Sequence, residues 1–387
     1  MSIKMKAKKE STEMLLKELD WNGADRTVIL NKPRILEIIE GISKQQTLSG
    51  KQQGIFGLKD RLSDYRNDKD GLFNIGTNGD TISVSHRYLI NELKQVADAQ
   101  TIDRANYYLQ RFAKAVSEKK TNKINDLNLN QWKQYDDIIT ESLWLLEKRD
   151  NSGVHNSGYW GNFIPQIPQQ MLKRYTKKGE WVLDAFAGCG TTLIEAQRLG
   201  RSCIGIELQP EVVKTANDLI TSEPNRFQTI NEVTEGDSTE IDYGKLLAQY
   251  GQKSAQFLIM HPPYFDIIKF SKDPRDLCNA GSVESFLAKM SEVVRMAGRV
   301  LDKGRYFALV IGDKYSKGEW IPLGFLTMQE VLKNGFALKS IIVKNFEETF
   351  GKRNQKELWR YRALVGGFYI FKHEYIFLFQ KAMRHSI

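Results

Sequence analysis

The sequence predicts an α/β fold: a mostly parallel sheet with an antiparallel hairpin at its edge, preceded by a mainly helical N-terminal domain. Three observations lead there. From about residue 150, short apolar runs alternate with amphipathic stretches of helical period. Two of those runs, Trp181-Val182-Leu183-Asp184 and Cys203-Ile204-Gly205-Ile206-Glu207, end in an acid. Before residue 150 the apolar spacing is mainly three and four.

Taken in order, the stretch from Ser43 to Gly71 is rich in Gly, Gln, Lys and Asp and reads as a loop with short helical pieces. Asn78-Gly79 lies between Phe73-Asn74-Ile75 and Ile82-Ser83-Val84, a hairpin signal because both turn residues tolerate positive φ. Tyr88 to Val116 reads as helix, with Leu93, Val96, Tyr108, Leu109 and Phe112 as core candidates. Gln131 to Arg149 spaces Trp132, Tyr135, Ile139, Leu143 and Leu146 as one apolar stripe on a further helix.

The second part predicts helix from Gly190 to Leu199 and from Pro210 to Thr221, then strand Phe257 to Met260. Helix Val283 to Val300 and strand Tyr306 to Ile311 follow. Two β-rich runs, Leu338 to Phe346 and Tyr375 to Gln380, suit the edge hairpin. Helices between strands require a sheet covered on both faces, with ligands at the carboxyl ends of its strands.

The 387 residues suffice for two domains, expected as 1–150 and 151–387, and 41% hydrophobic with 27% charged residues is an ordinary globular composition. No stretch approaches the roughly 18 apolar residues of a membrane helix. The basic N-terminus lacks an apolar core, so a secretory signal is not expected and a cytoplasmic location is. Cys189, Cys203 and Cys278 form no CxxC pair, and the five histidines show no ligand spacing. Neither a disulfide framework nor a metal centre is expected. The net charge of +9 is compatible with a polyanionic partner, and residues 344–387 hold nine basic against four acidic side chains.

The segment Val182-Leu183-Asp184-Ala185-Phe186-Ala187-Gly188-Cys189-Gly190-Thr191-Thr192 reads as a strand, a glycine turn and a helix start. Gly188 and Gly190 would let the backbone approach a ligand with no Cβ in the way. Glu207, nineteen residues after Gly188, suits both hydroxyls of a ribose, and Asp237, where a third strand should end, suits an adenine amino group. Leu193 replaces the third glycine of a dinucleotide fingerprint and no P-loop lysine follows, which points to an adenosine without a pyrophosphate.

This wording closely resembles the cofactor motif of the S-adenosylmethionine-dependent DNA amino-methyltransferases, the adenine-N6 and cytosine-N4 methylases. The resemblance covers about residues 155 to 380 and implies a Rossmann-like methyltransferase fold with S-adenosylmethionine as cofactor. It implies cofactor contacts from Asp184, Phe186, Gly188, Gly190, Thr191, Glu207 and Asp237. Asn162 to Pro168 stands where the family closes a segment over the methionine. His261-Pro262-Pro263-Tyr264, directly after an apolar strand, resembles the family's catalytic tetrad of Asp, Asn or Ser followed by Pro-Pro and an aromatic residue.

An exocyclic amine is a poor nucleophile because its lone pair is delocalised, and two acceptors holding its hydrogens turn that pair outward. In the resemblance, the Pro262 carbonyl and the first side chain are those acceptors, Pro263 stiffens the turn, and Tyr264 offers a face to a flipped base. His261 departs from the pattern, since a neutral imidazole has one acceptor nitrogen where a carboxylate has several lone pairs. An unperturbed histidine titrates near about 6.5, so an acid limb in activity is expected there.

Only 73 residues separate Gly188 from His261, too few for a target-recognition domain. Recognition of double-stranded DNA must then come from residues 1–150, the C-terminal part, or both. Lys352 to Arg362 interleaves bases with Trp359 and Tyr361, which makes Arg353, Arg360 and Arg362 candidates for DNA contact. Lys51 to Lys69 is a second candidate. The resemblance implies direct methyl transfer to adenine or cytosine, with adenine favoured, and a cognate restriction endonuclease as partner. Alternatives are an RNA amino-methyltransferase of guanine-N2 type and a non-catalytic, cofactor-binding regulator.

Overall fold

The computed structural model describes residues 27–63, 68, 71–73, 80–155, 158–159, 161–346 and 356–383. The chain forms two compact units, Met1–Asn122 with Leu127–Asp137, and Lys123–Asp126 with Ile138–Ile387.

In the smaller unit, strands β1 (Thr27–Asn31) and β2 (Thr81–Ser85) pair antiparallel, and helices α1 (Lys32–Ser43), α2 (Leu48–Ser63), α3 (His86–Ala97) and α4 (Ile102–Ser117) surround one core. Leu30, Ile35, Ile39, Leu58, Leu93, Leu109 and Phe112 are fully buried there. Asn31, Ser85 and Thr101 cap the helices that follow them, each accepting a backbone N–H three residues on. The Thr101 cap divides the expected helix from Tyr88 to Val116 into two.

Two other expectations change. The stretch from Ser43 is not loop but largely α2, and its Gly54 allows close packing: a Cβ there would meet Ile42 Cγ1 at 2.8 Å. Residues 82–84 pair with 28–30, while Asn74 to Gly79, and with them the expected hairpin turn, lie outside the described residues.

The larger unit is built on an eight-stranded sheet. Its strands are β3 (Leu143–Trp144), β4 (Trp181–Asp184), β5 (Ser202–Glu207), β6 (Asn231–Glu235), β7 (Ala255–Met260), β8 (Leu301–Ile311), β11 (Phe336–Asn345) and β12 (His373–Lys381). The order is β3-β11-β12-β8-β7-β4-β5-β6, and β6 through β8 run parallel. β12 runs antiparallel to both β8 and β11. This is a Rossmann-like, mostly parallel α/β arrangement. Helices α5 (Gln166–Tyr175), α6 (Thr191–Leu199), α7 (Pro210–Ser222), α8 (Tyr243–Ala248), α9 (Val283–Val300) and α10 (Leu323–Lys333) accompany the sheet, whose two faces carry separate buried clusters. A small hairpin, β9 (Lys314–Ser316) with β10 (Glu319–Ile321), follows β8, and α11 (Lys356–Gly366) lies between the last two strands.

The helix expected from Gln131 to Arg149 does not form. Short 3-10 turns kinked at Gln131 span Leu129–Gln134, Trp132 is 64% exposed, and Leu143 and Trp144 instead join β11 in parallel. Val343 N donates to Ser142 O at 2.8 Å and Leu146 N to Asn345 Oδ1 at 2.8 Å, so sheet hydrogen bonds outweigh the local period. The hairpin of β11 and β12 is therefore not the outermost edge, and the two units divide at Asp137–Ile138 where residue 150 was expected.

Candidate active site

Strand order reverses beside β4: β5 and β6 lie on one side, β7 and β8 on the other. A ligand cleft forms where neighbouring strands send their connections in opposite directions. The loop after β4 and the tetrad after β7 meet there and line one cavity of about 950 Å³.

At one end are Phe186, Ala187, Gly188, Glu207 and Asp237. Gly188 has φ +50°, and a Cβ on it would sit 3.2 Å from the Tyr159 ring. Glu207 Oε1 accepts from Gln209 N at 3.0 Å, and burial pushes its carboxyl above the ordinary range. Asp237 Oδ1 accepts from Thr239 N and its hydroxyl, which sets the turn after β6.

Asp184, Gly190 and Thr191 are not among the residues that line this cavity, and they shape the loop that does. Asp184 is buried at the end of β4, accepts from Phe186 N at 3.0 Å, and is pushed by burial up to about 6. Gly190 takes φ +83° to start α6 against Ile220. The Thr191 hydroxyl donates to Asn162 Oδ1 at 3.0 Å, and Asn162 Nδ2 donates to Cys189 Sγ at 2.6 Å, tying the preceding segment to the glycine turn.

At the other end stand His261, Pro262, Pro263 and Tyr264. The Phe163 ring stacks on His261, centroids 4.8 Å apart at 28°. His261 Nε2 lies 3.1 Å from Tyr264 Oη, which donates to Glu374 Oε2 at 2.8 Å, and Lys344 Nζ donates to Glu374 Oε1 at 3.0 Å. Burial holds the His261 imidazole down to about 4, with Lys344 adding to the shift and Glu374 opposing it. The acid limb expected near 6.5 is therefore misplaced. Burial, and then Glu374, push the Tyr264 phenol up. Its ring edge rests on Gly312, where a Cβ would come within 2.9 Å.

Residues 76–218 match the family model described as DNA methylase. The chain is 40% identical over 67 residues to the type II methyltransferase M.MjaII of Methanocaldococcus jannaschii, covering 17% of this chain and 13% of that one. It is 35% identical over 99 residues to the type II methyltransferase M2.DpnII of Streptococcus pneumoniae, covering 24% and 34%. Part of this chain is therefore similar to DNA methylases. It spans only between 13% and 34% of the length of these two relatives. Among solved structures, TrmN from Thermus thermophilus is similar at 18% identity and a TM-score of 0.37, covering 57% of this chain and 49% of that one.

The family-model match stops short of the tetrad. Tyr159, Phe270, Asp276, Lys344 and Glu374 also line the cavity, and sequence reading missed them. The neighbouring residues of Asp276 and Glu374 carry no family-like wording, and both acids become functional candidates only through the fold. Arg360 and Arg362 are exposed on α11, while Trp359 of that helix lines the cavity. Arg353 lies outside the described residues. No helix among the described residues is long and apolar enough to cross a membrane.

Proposed function

We propose that this chain transfers a methyl group from S-adenosylmethionine to the exocyclic amine of adenine (N6) or cytosine (N4) in DNA, acting on a flipped base. The observation that carries the reading is the opening of the Gly188–Glu207 end and the His261–Tyr264 end into one cavity. The residues present suit the cofactor: Gly188 leaves room for a ligand beside Tyr159, and Glu207 offers a carboxylate to ribose hydroxyls.

Held by the Gly188 turn and Glu207, the cofactor would supply an electrophilic methyl on sulfonium, which the amine would take up with loss of one proton to solvent while the former C–S electron pair would remain on sulfur. His261 and the Pro262 carbonyl hold the amine hydrogens so that the lone pair faces the methyl. Pro263 stiffens the turn, and Tyr264 and Phe163 bound the space for the flipped base.

Residues 1–137 and α11 are the proposed recognition surfaces for duplex DNA. The proposed setting is cytoplasmic, with a cognate restriction endonuclease. Transfer of labelled methyl to duplex DNA but not to total RNA, followed by identification of the modified nucleoside, tests the reading. Label appearing only in RNA, or in neither, overturns it.

A further inference from the structure

Lys344 on β11 and Glu374 on β12 stand opposite each other in the antiparallel register. Because β12 runs antiparallel to β8, this pair comes to the same sheet end as the tetrad. Both side chains are nearly buried, Lys344 at 7% and Glu374 at 11% exposure. A buried ion pair with no further partner is poor stabilisation. Here its second carboxylate oxygen is spent on Tyr264.

The hydrogens in this chain of contacts can be counted. Lys344 only donates, and it occupies Glu374 Oε1. Burial raises the Glu374 carboxyl, but Lys344, His261 and Tyr264 together outweigh that and keep it below its ordinary range, so it remains a carboxylate. Tyr264 has one hydroxyl hydrogen, and the charge-assisted bond to Glu374 Oε2 takes it. The phenolic oxygen can then only accept from His261 Nε2. A neutral imidazole carries one N–H, which leaves Nδ1 bare. Nδ1 is not among the sealed, unpartnered polar atoms, and no described residue bonds to it. The stacked Phe163 ring restrains the imidazole from turning over.

We infer that Glu374, held by Lys344, is a positioning residue for methyl transfer: through Tyr264 it fixes His261 as the Nε2–H tautomer and leaves Nδ1 as acceptor for the target amine. This rests on the reading of the cavity as a methyl-transfer site.

The isosteric variant Glu374→Gln separates positioning from packing. Lys344 would hold the amide oxygen and turn the NH₂ toward Tyr264, whose hydroxyl hydrogen must then point at His261 Nε2. The tautomer inverts, Nδ1 gains the hydrogen, and the acceptor is lost. Nitrogen-15 spectra of histidine-labelled full-length protein, with His261→Asn to assign the signal, should show Nε2–H in the wild type and Nδ1–H in Glu374→Gln. The single-turnover rate on duplex DNA should fall on the order of a hundredfold with cofactor affinity unchanged. Adding Lys344→Met frees the amide to present its oxygen to Tyr264, and should restore both the tautomer and much of the rate.

Nδ1–H in the wild type overturns the inference, as does a slow Glu374→Gln whose tautomer is unchanged. A wild type that shows Nε2–H but methylates no DNA overturns the methylation reading and leaves the relay standing.

Discussion

At the scale of single residues, His261 is where this chain departs from the tetrad it resembles, and the fold defines the surroundings of the imidazole. Burial holds its imidazole down to about 4, so it is neutral throughout the usual assay range. Single-turnover rates should stay level from mildly alkaline to mildly acid pH and fall only near 4. His261→Asn should keep measurable activity and lose that fall. A wild-type limb near about 6.5 would mean a solvated imidazole. The sign of the stability effect follows from the same depression. An unfolded histidine protonates below about 6.5, so the contribution is complete above that pH and is lost as pH falls toward about 4. Denaturant titrations should show this slope in the wild type and its reduction in His261→Asn. Glu207→Ala should weaken S-adenosylmethionine binding by roughly 1–3 kcal/mol, since two ribose hydroxyls lose a charged acceptor. Titration calorimetry reads this directly, and unchanged affinity would move the ribose elsewhere.

Among elements, α11 departs furthest from ordinary packing. Tyr361, Leu364 and Val365 are 65%, 70% and 71% exposed, and Arg360 and Arg362 project from the same helix. The Arg362 guanidinium lies 5.3 Å over Trp359, which lines the cavity. An exposed aromatic and basic helix with a residue in the cavity suits phosphate contact near the flipped base. Arg360→Ala and Arg362→Ala should each lower the salt slope of DNA binding by about one unit while cofactor affinity holds. Earlier melting with an untouched slope would make α11 a packing element. Most strands and helices from β4 to β8, though not α8, were legible because their apolar periods and their burial agree. The segment after Leu129 was not: its three-and-four spacing is real, but Trp144 is buried as a strand residue beside β11, and Trp132 is left in solvent. Local period yields when a strand edge supplies hydrogen bonds and a core position together.

Across the whole molecule, the two units have separate cores, with no shared buried cluster among the described residues. Scanning calorimetry should therefore show two transitions. Cofactor at about a hundred times its dissociation constant should stabilise only the larger unit, by about 2.7 kcal/mol. A single transition that shifts as a whole would show that the units unfold together.

The sequence by itself determined the resemblance to DNA amino-methyltransferases, the order of the parallel strands' segments, the glycine turn and the His-Pro-Pro-Tyr run, because each is a contiguous run whose chemistry is local. Tertiary structure decided which of those residues line the cavity. Asp184, Gly190 and Thr191 share the motif's wording, yet they are not among the cavity's lining residues: Asp184 and Thr191 hold loop hydrogen bonds and Gly190 takes the positive φ that starts α6. It also brought Glu374 to Tyr264 across 110 residues and set Lys344 opposite it. No period or motif marks such a pair. Antiparallel register alone carries the two strands back to the sheet end where the tetrad stands, and there a buried carboxylate can assign a hydrogen to a histidine.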